Sequence, residues 1–213
     1  MKLINGWWVP SSDLYFDEKT LRPEGFDIDH LAVALQYVKH WRTAVDAGSH
    51  IGTWAKAMAV KFEKVYAIEP DGANYSCLLR NTDHLPNVTP YKFALSNVDG
   101  GEVAMRDSAV RVGNSGARHC IAGRGIPTRT LDSLHVETLD FLKLDVESYE
   151  YYALLGSQRT LARCKPVVFI EQKKFKDTEG RPPVDYKAAA TYLESMGMKC
   201  VDRVKNDHIF TWQ

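Results

Sequence analysis

The stretch Thr43-Ala-Val-Asp-Ala-Gly-Ser-His-Ile-Gly52 limits what this chain can fold into more than any other. Ala44, Val45 and Ala47 form a short apolar run that reads as a buried strand. Gly48 permits a tight turn out of it, and Gly52 lets the helix expected over 53–62 press close to the strand. Unpaired N–H groups at the start of that helix would face a bound molecule. A second apolar strand, Val65-Tyr-Ala-Ile-Glu69-Pro70, ends in a carboxylate. Its spacing from the glycine turn matches that of the acid that bonds ribose hydroxyls in Rossmann-type folds, so the two stretches together predict an adenosine pocket.

The glycine pattern narrows the ligand. A dinucleotide fingerprint, G-x-G-x-x-G, uses its second glycine to let the backbone approach a pyrophosphate. Here Ser49 and His50 follow Gly48 directly, and no diphosphate is cradled. Asp46, just before the turn, would repel a pyrophosphate but suits a cation such as the ammonium of a methionyl tail. The residues point to S-adenosylmethionine rather than NAD, held by Asp46, Gly48, Ser49, Gly52 and Glu69. His50 is expected to face solvent and His84 to lie in a loop.

Around this centre the chain alternates strand and helix. Within 1–27, Trp7, Trp8, Tyr15 and Phe16 stand among Pro10, Pro23 and Gly25, which predicts a short hairpin or arm covering a sheet edge. Asp27 is placed to cap a helix whose apolar face is Ile28, Leu31, Leu35 and Val38, so that arm and helix together occupy 1–42. Next come a helix over 71–81, a third strand over 88–95 that puts Ser96 at its tip near the adenine, and a turn at 97–101 leading into a hairpin. A fourth strand over 140–144, a helix over 149–164 and a fifth strand over 166–170 follow. Then come a polar loop, 172–183, with Lys173, Lys174 and Lys176, a helix over 184–196, and two strands, 198–204 and 208–212, joined as a hairpin. The alternation predicts one α/β domain over 1–213. It is a Rossmann-like, doubly wound, mostly parallel seven-stranded sheet with a C-terminal antiparallel hairpin and helices on both faces.

These residues resemble the class I S-adenosylmethionine-dependent methyltransferases, whose first two motifs are similar to Asp46-x-Gly48-x-x-x-Gly52 and Ala67-Ile-Glu69-Pro70. Four later stretches resemble the FkbM family in particular: Thr130-Leu-Asp-Ser-Leu134, Asp140-Phe-Leu-Lys-Leu-Asp145-Val-Glu147-Ser-Tyr-Glu150, Leu155-Gly156, and Lys165-Pro-Val-Val-Phe-Ile-Glu171. The chain departs from that pattern at Ser148, where the family has Gly. The resemblance implies an O-methyltransferase acting on a small hydroxylated acceptor, a sugar.

Asp46, Glu69, Ser96, Asp145, Glu147 and Glu171 all fall at expected strand ends, where a doubly wound sheet binds its ligand. Methyl transfer to oxygen needs a deprotonated hydroxyl, and a carboxylate crowded by others has a raised pKa suited to taking that proton. Asp145 and Glu147, two residues apart at one strand end, are the catalytic candidates, one orienting the methionyl end and the other acting as base. Glu147 also stands where it could cap the following helix. Asp145, Glu147 and Glu171, with His208, could instead hold a divalent cation, but no spacing is diagnostic and no metal is assigned.

The stretch 106–129 holds five arginines (106, 111, 118, 124 and 129), one acid and four glycines with little periodicity. It reads as a basic, mobile insertion that either recruits an anionic acceptor, such as a sugar acid or sugar phosphate, through bidentate arginine contacts, or only solvates a long hairpin and pairs with surface acids. A nucleic-acid methyltransferase is the competing reading, but Lys+Arg and Asp+Glu both number 27 and no N/D-P-P-Y/F box follows the fourth strand. A nucleotide-binding module without catalysis is another. No apolar run reaches the roughly 20 residues of a membrane span, and the first residues lack a signal-peptide pattern, so a cytoplasmic protein without a membrane partner is expected. The cysteines, at 77, 120, 164 and 200, lack metal-site spacing and read as free thiols.

Overall fold

The structure, a computed structural model, describes residues 1–174 and 180–213. In chain order the elements are β1 (Lys2–Ile4), β2 (Trp7–Val9), α1 (Ile28–Leu35), β3 (Thr43–Ala47), α2 (Thr53–Ala59), β4 (Lys64–Ile68), α3 (Gly72–Thr82), β5 (Val88–Tyr91) and β6 (Ala94–Leu95). There follow β7 (Glu102–Arg106), β8 (His119–Ala122), β9 (Ile126–Arg129), β10 (Phe141–Leu144), α4 (Glu150–Leu155), α5 (Gln158–Cys164), β11 (Val167–Glu171), α6 (Ala188–Ser195), β12 (Met198–Val204) and β13 (Asp207–Trp212).

The main sheet has seven strands in the order β12-β13-β11-β10-β3-β4-β5. The strands from β11 to β5 run parallel, and the hairpin β12–β13 closes the edge antiparallel, as expected. Strand order reverses between β3 and β10, and the carboxyl ends of β3, β4, β10 and β11 all open on the same side. This is where a doubly wound sheet leaves a crevice. Alternation along each strand builds two cores. Val45, Ala47, Leu142, Leu144, Val168 and Ile170 pack with Ala153, Leu154, Leu161 and Leu193 of α4–α6. Ala44, Val65, Phe141 and Phe169 pack with Leu31, Ala34, Met58 and Leu78 of α1–α3 on the other face.

Several local expectations are corrected. Strand three breaks after Tyr91, and Ala94–Leu95 joins β7, β8 and β9 in a separate four-stranded sheet. The stretch expected as a shapeless basic arm therefore carries two strands, held by the antiparallel pairing of Val103–Arg106 with His119–Ala122. The helix expected over 149–164 is two helices broken at Gly156, because the backbone there presses on Ser96: a Cβ would lie 1.9 Å from its carbonyl oxygen. Asp27 does not cap α1; it has φ 50° and makes no side-chain capping bond. The N-terminal hairpin forms as expected, and Asn81 grips it by accepting from Trp8 N and donating to Trp8 O. No helix among the described residues is long and apolar enough to cross a membrane.

Candidate active site

The glycine turn builds the floor of a cavity of about 290 Å³ at the carboxyl edge of the sheet. Gly48 has φ +77° and its backbone abuts β10: a Cβ would lie 1.8 Å from the Asp145 carbonyl oxygen. Only glycine fits there. The N–H groups of Gly48 and Ser49 both donate to Ile68 O, which ties the turn to the end of β4, and Ser49 Oγ donates to Asp46 O at 2.6 Å. Gly52, at φ +92°, plays a different part from the one expected. The neighbour a Cβ would strike is Leu78 of α3, 2.7 Å away, so this glycine lets α3 rather than the strand approach, and it does not line the cavity.

Glu69 stands at the cavity wall, buried, its two oxygens accepting from the backbone N–H groups of His50 (2.8 Å) and Asp71 (2.9 Å). Burial pushes its pKa up to about 8 against those two hydrogen bonds. His50 does not face solvent as expected. Its ring packs on Phe16 and bonds Ser115 Oγ at 2.7 Å, and burial lowers its pKa to about 4. Asn74 lines the same wall: its Nδ2 donates to Ser115 O, while its buried Oδ1 has no partner among the described residues. That orphaned acceptor and the Glu69 carboxylate offer an adenosine what its N–H and ribose hydroxyl donors require.

Asp46 is corrected. It is fully buried in β3 and does not line the cavity. Its cationic partner is internal: Lys143, its register neighbour on β10, places Nζ 3.1 Å from Asp46 Oδ1. The same Nζ donates to Gly48 O at 2.7 Å and lies 3.7 Å from Asp145 Oδ2. Burial alone would lower the Lys143 pKa, but Asp46 and Asp145 outweigh it and raise it. Lys143 reaches the cavity and was missed, although a lysine inside the run Phe141-Leu-Lys-Leu144 was the available signal. Ser96 is also corrected: with β6 diverted into the second sheet, its hydroxyl bonds Asn97 and Tyr149 and stays outside the cavity, which Ala94 and Leu95 line instead.

Asp145, Glu147 and Glu171 meet at the opposite end, with carboxylate oxygens within 4.8 Å of one another. Protein cations already occupy this group. Arg111 Nη2 lies 2.5 Å from Glu147 Oε2, Arg181 and Lys173 approach Glu147 at 3.9 and 3.8 Å, and Lys173 Nζ lies 2.6 Å from Glu171 Oε1. Burial raises the Glu147 pKa while Lys173 and Arg111 pull it down, and burial with Asp145 pushes Glu171 up to about 8. Arg111 thus occupies one Glu147 oxygen while burial still holds its pKa above the ordinary carboxylate value. Glu147 does not cap α4, which has no side-chain capping bond; Glu150 instead reaches back to accept from Val146 N and Ser148 N in the turn before the helix. Glu147 and Ser148 have φ of +53° and +81°, so the Ser148 backbone adopts the left-handed turn that the family's Gly makes without strain.

Two of the arginines expected to recruit an anion are engaged within the fold. Arg111 holds Glu147, and Arg118 bridges Asp71 (2.7 Å) and Asp107 (2.6 Å), which fastens the second sheet over the Glu69 wall. Lys176 lies outside the described residues. The N-terminal aromatics do more than cover an edge, since Tyr15, Phe16 and Phe26 also wall the cavity. His208, the suggested fourth cation ligand, does not line it. The remaining lining at the Asp145 end comes from His30 and Asp27, and from Lys205, Asn206 and Asp207 at the tip of the C-terminal hairpin.

A seven-stranded sheet of this order, with an acid after β4 and a glycine turn after β3, defines a class I methyltransferase fold. Residues 46–200 match the methyltransferase FkbM domain family, and the chain belongs to that family. Its cofactor is S-adenosylmethionine, which Glu69 and Asn74 are chemically suited to receive. Among solved structures, an FkbM methyltransferase from Methylobacillus flagellatus KT superposes with a TM-score of 0.51 at 21% identity, over 97% of this chain and 48% of that one. The chain thus spans about half the length of that relative. Fibrillarin from Aeropyrum pernix, with natively bound S-adenosyl-L-methionine, gives a TM-score of 0.51 at 17% identity over 85% and 73% of the two chains. An rRNA methylase from Streptococcus thermophilus gives 0.50 at 13% over 90% and 98%. No curated protein matches the chain.

Proposed function

We propose that this domain transfers the methyl group of S-adenosylmethionine to a hydroxyl of a small, uncharged, polyhydroxylated acceptor, a sugar or glycoconjugate. The observation that carries the reading is the acid-rich end of the cavity. Asp27, Asp145, Glu147, Glu171 and Asp207 line it, while the arginine nearest them is paired with Glu147. So many carboxyl groups, with their cations already paired to them, accept hydrogen bonds from the hydroxyls of a neutral sugar and offer no dedicated anion clamp for a sugar acid or phosphate. The lining also suits the positive charge that the cofactor, when bound, carries on its sulfonium. In this reading Asp145, whose side chain is 42% exposed, faces the methionyl end, and Glu147, fixed by Arg111, orients acceptor hydroxyls.

The test is transfer from methyl-tritiated S-adenosylmethionine into a panel of neutral hexoses and inositol, uronic acids and sugar phosphates, and oligonucleotides. Label in the neutral sugars, stable to mild base as an ether is, supports the reading. Label confined to anionic sugars or to nucleic acid overturns it.

A further inference from the structure

Beside the acid cluster stands a pair that the reaction above leaves unused. His30, on α1, places Nδ1 2.6 Å from Asp207 Oδ2 at the start of β13. Their side chains are only 10% and 15% exposed, and both line the cavity shared with Gly48, Glu69 and Asp145. No described residue hydrogen-bonds His30 Nε2, and that nitrogen is not sealed in the core. The pair joins segments 177 residues apart in sequence. Its alignment is therefore a product of the fold rather than of local chain geometry.

We infer that His30 is the general base of the methyl transfer and that Asp207 is its positioning residue; the inference rests on the hydroxyl-acceptor reading above. Asp207 accepts the Nδ1 proton, which leaves Nε2 as a bare acceptor, and it then stabilises the imidazolium. In the step, the acceptor oxygen forms the new bond to the methyl carbon as its proton passes to Nε2. The methyl–sulfur bond breaks with its electron pair staying on sulfur, giving the neutral thioether, and the imidazolium later loses its proton to water. Glu147 Oε2 is paired with Arg111, whereas no described residue hydrogen-bonds His30 Nε2. The charged groups around the pair are Asp27 and Asp145, with Lys205 beside Asp27, and burial together with Asp145 raises the Asp207 pKa to about 6.

The first test needs no acceptor: 15N-detected imidazole spectra of the wild-type chain with S-adenosylhomocysteine, recorded with the His30 ring neutral. The expected result is a proton on Nδ1 and a bare Nε2 for His30. A proton on Nε2 overturns the inference, because that nitrogen could then take none. Asp207→Asn keeps a hydrogen-bond partner but donates to Nδ1, so it should move the proton to Nε2. The second test uses the sugar that the panel identifies. His30→Gln should cut kcat by about a hundredfold or more, the range expected for a lost general base, and abolish the acid limb of the kcat–pH profile. Its S-adenosylhomocysteine affinity should stay within about threefold of wild type. Turnover near the wild-type rate, or a retained acid limb, overturns the base assignment and leaves the acceptor reading standing. Failure of the wild-type chain to label any sugar overturns the acceptor reading and takes this inference with it.

Discussion

Replacing Gly48 by alanine tests the turn that positions everything else. The added Cβ would sit 1.8 Å from the Asp145 carbonyl oxygen and 2.8 Å from its carbon, both backbone atoms just past the end of β10 that no rotamer change can move. The backbone at φ +77° adds a left-handed strain of about 1–2 kcal/mol for a residue with a Cβ. Overpacking adds about 1–3 kcal/mol more, so a loss of about 2–5 kcal/mol in urea unfolding is expected. Relief requires the turn to lift away from β10, which pulls Gly48 O off Lys143 and shifts the cavity floor. A displaced floor loses contacts to the bound molecule, so S-adenosylhomocysteine affinity measured by calorimetry should fall by about tenfold or more, the effect of about 1.4 kcal/mol. Gly52→Ala is the control. Its Cβ would meet Leu78 Cδ1 at 2.7 Å, the end of a side chain that can rotate, and Gly52 does not line the cavity. It should lose about 1–2 kcal/mol of stability and keep its affinity. Equal affinities in the two folded variants would refute the reasoning.

Other consequences are open to direct measurement. Lys143→Met strands the fully buried Asp46 and should destabilise the protein by about 3–5 kcal/mol in urea unfolding, and adding Asp46→Asn should restore much of that loss. Ser148→Gly relieves a φ of +81° but gives up the Ser148 Oγ contact with Arg181, so a net gain of up to about 1 kcal/mol in thermal unfolding is expected. Burial raises Glu69 and Glu171 each to about 8. Protonated in the fold, both contribute fully below their unfolded pKa, and that contribution is lost as pH rises through 8. The cofactor-free chain should therefore be more stable to urea at pH 5 than at pH 8, and Glu69→Gln should flatten the difference.

The architecture was legible because its signals are local and periodic. Apolar runs at Ala44–Ala47, Val65–Ile68, Phe141–Leu144 and Val167–Ile170 alternate with helical patterns, and the Lys205–Asp207 turn marks the closing hairpin. Glu69 and Gly48 were readable for the same reason, since each acts through the strand it ends. What could not be read depends on contacts distant in sequence. In sequence Asp46 stands where a ligand ammonium would suit it, and only register sets Lys143 beside it. The arginines of 106–129 gave no sign that Arg111 would meet Glu147, 36 residues on, or that Arg118 would meet Asp71. The break at Gly156 follows from the close approach of Ser96 O, which no propensity encodes. His30 and Asp207 were passed over because one lay in a helical pattern and the other in a turn, each ordinary in its own segment.

The central claim is that Glu69 and the glycine turn hold the adenosine of S-adenosylmethionine, and calorimetric titration of the wild-type chain and of Glu69→Ala with S-adenosylhomocysteine, alongside NAD, tests it most directly. The account predicts binding of S-adenosylhomocysteine and not of NAD. In Glu69→Ala, folded as judged by thermal unfolding, it predicts an affinity weaker by about 1.5–3 kcal/mol, or about 10- to 150-fold. NAD binding by the wild-type chain, or an unchanged S-adenosylhomocysteine affinity in folded Glu69→Ala, would contradict it.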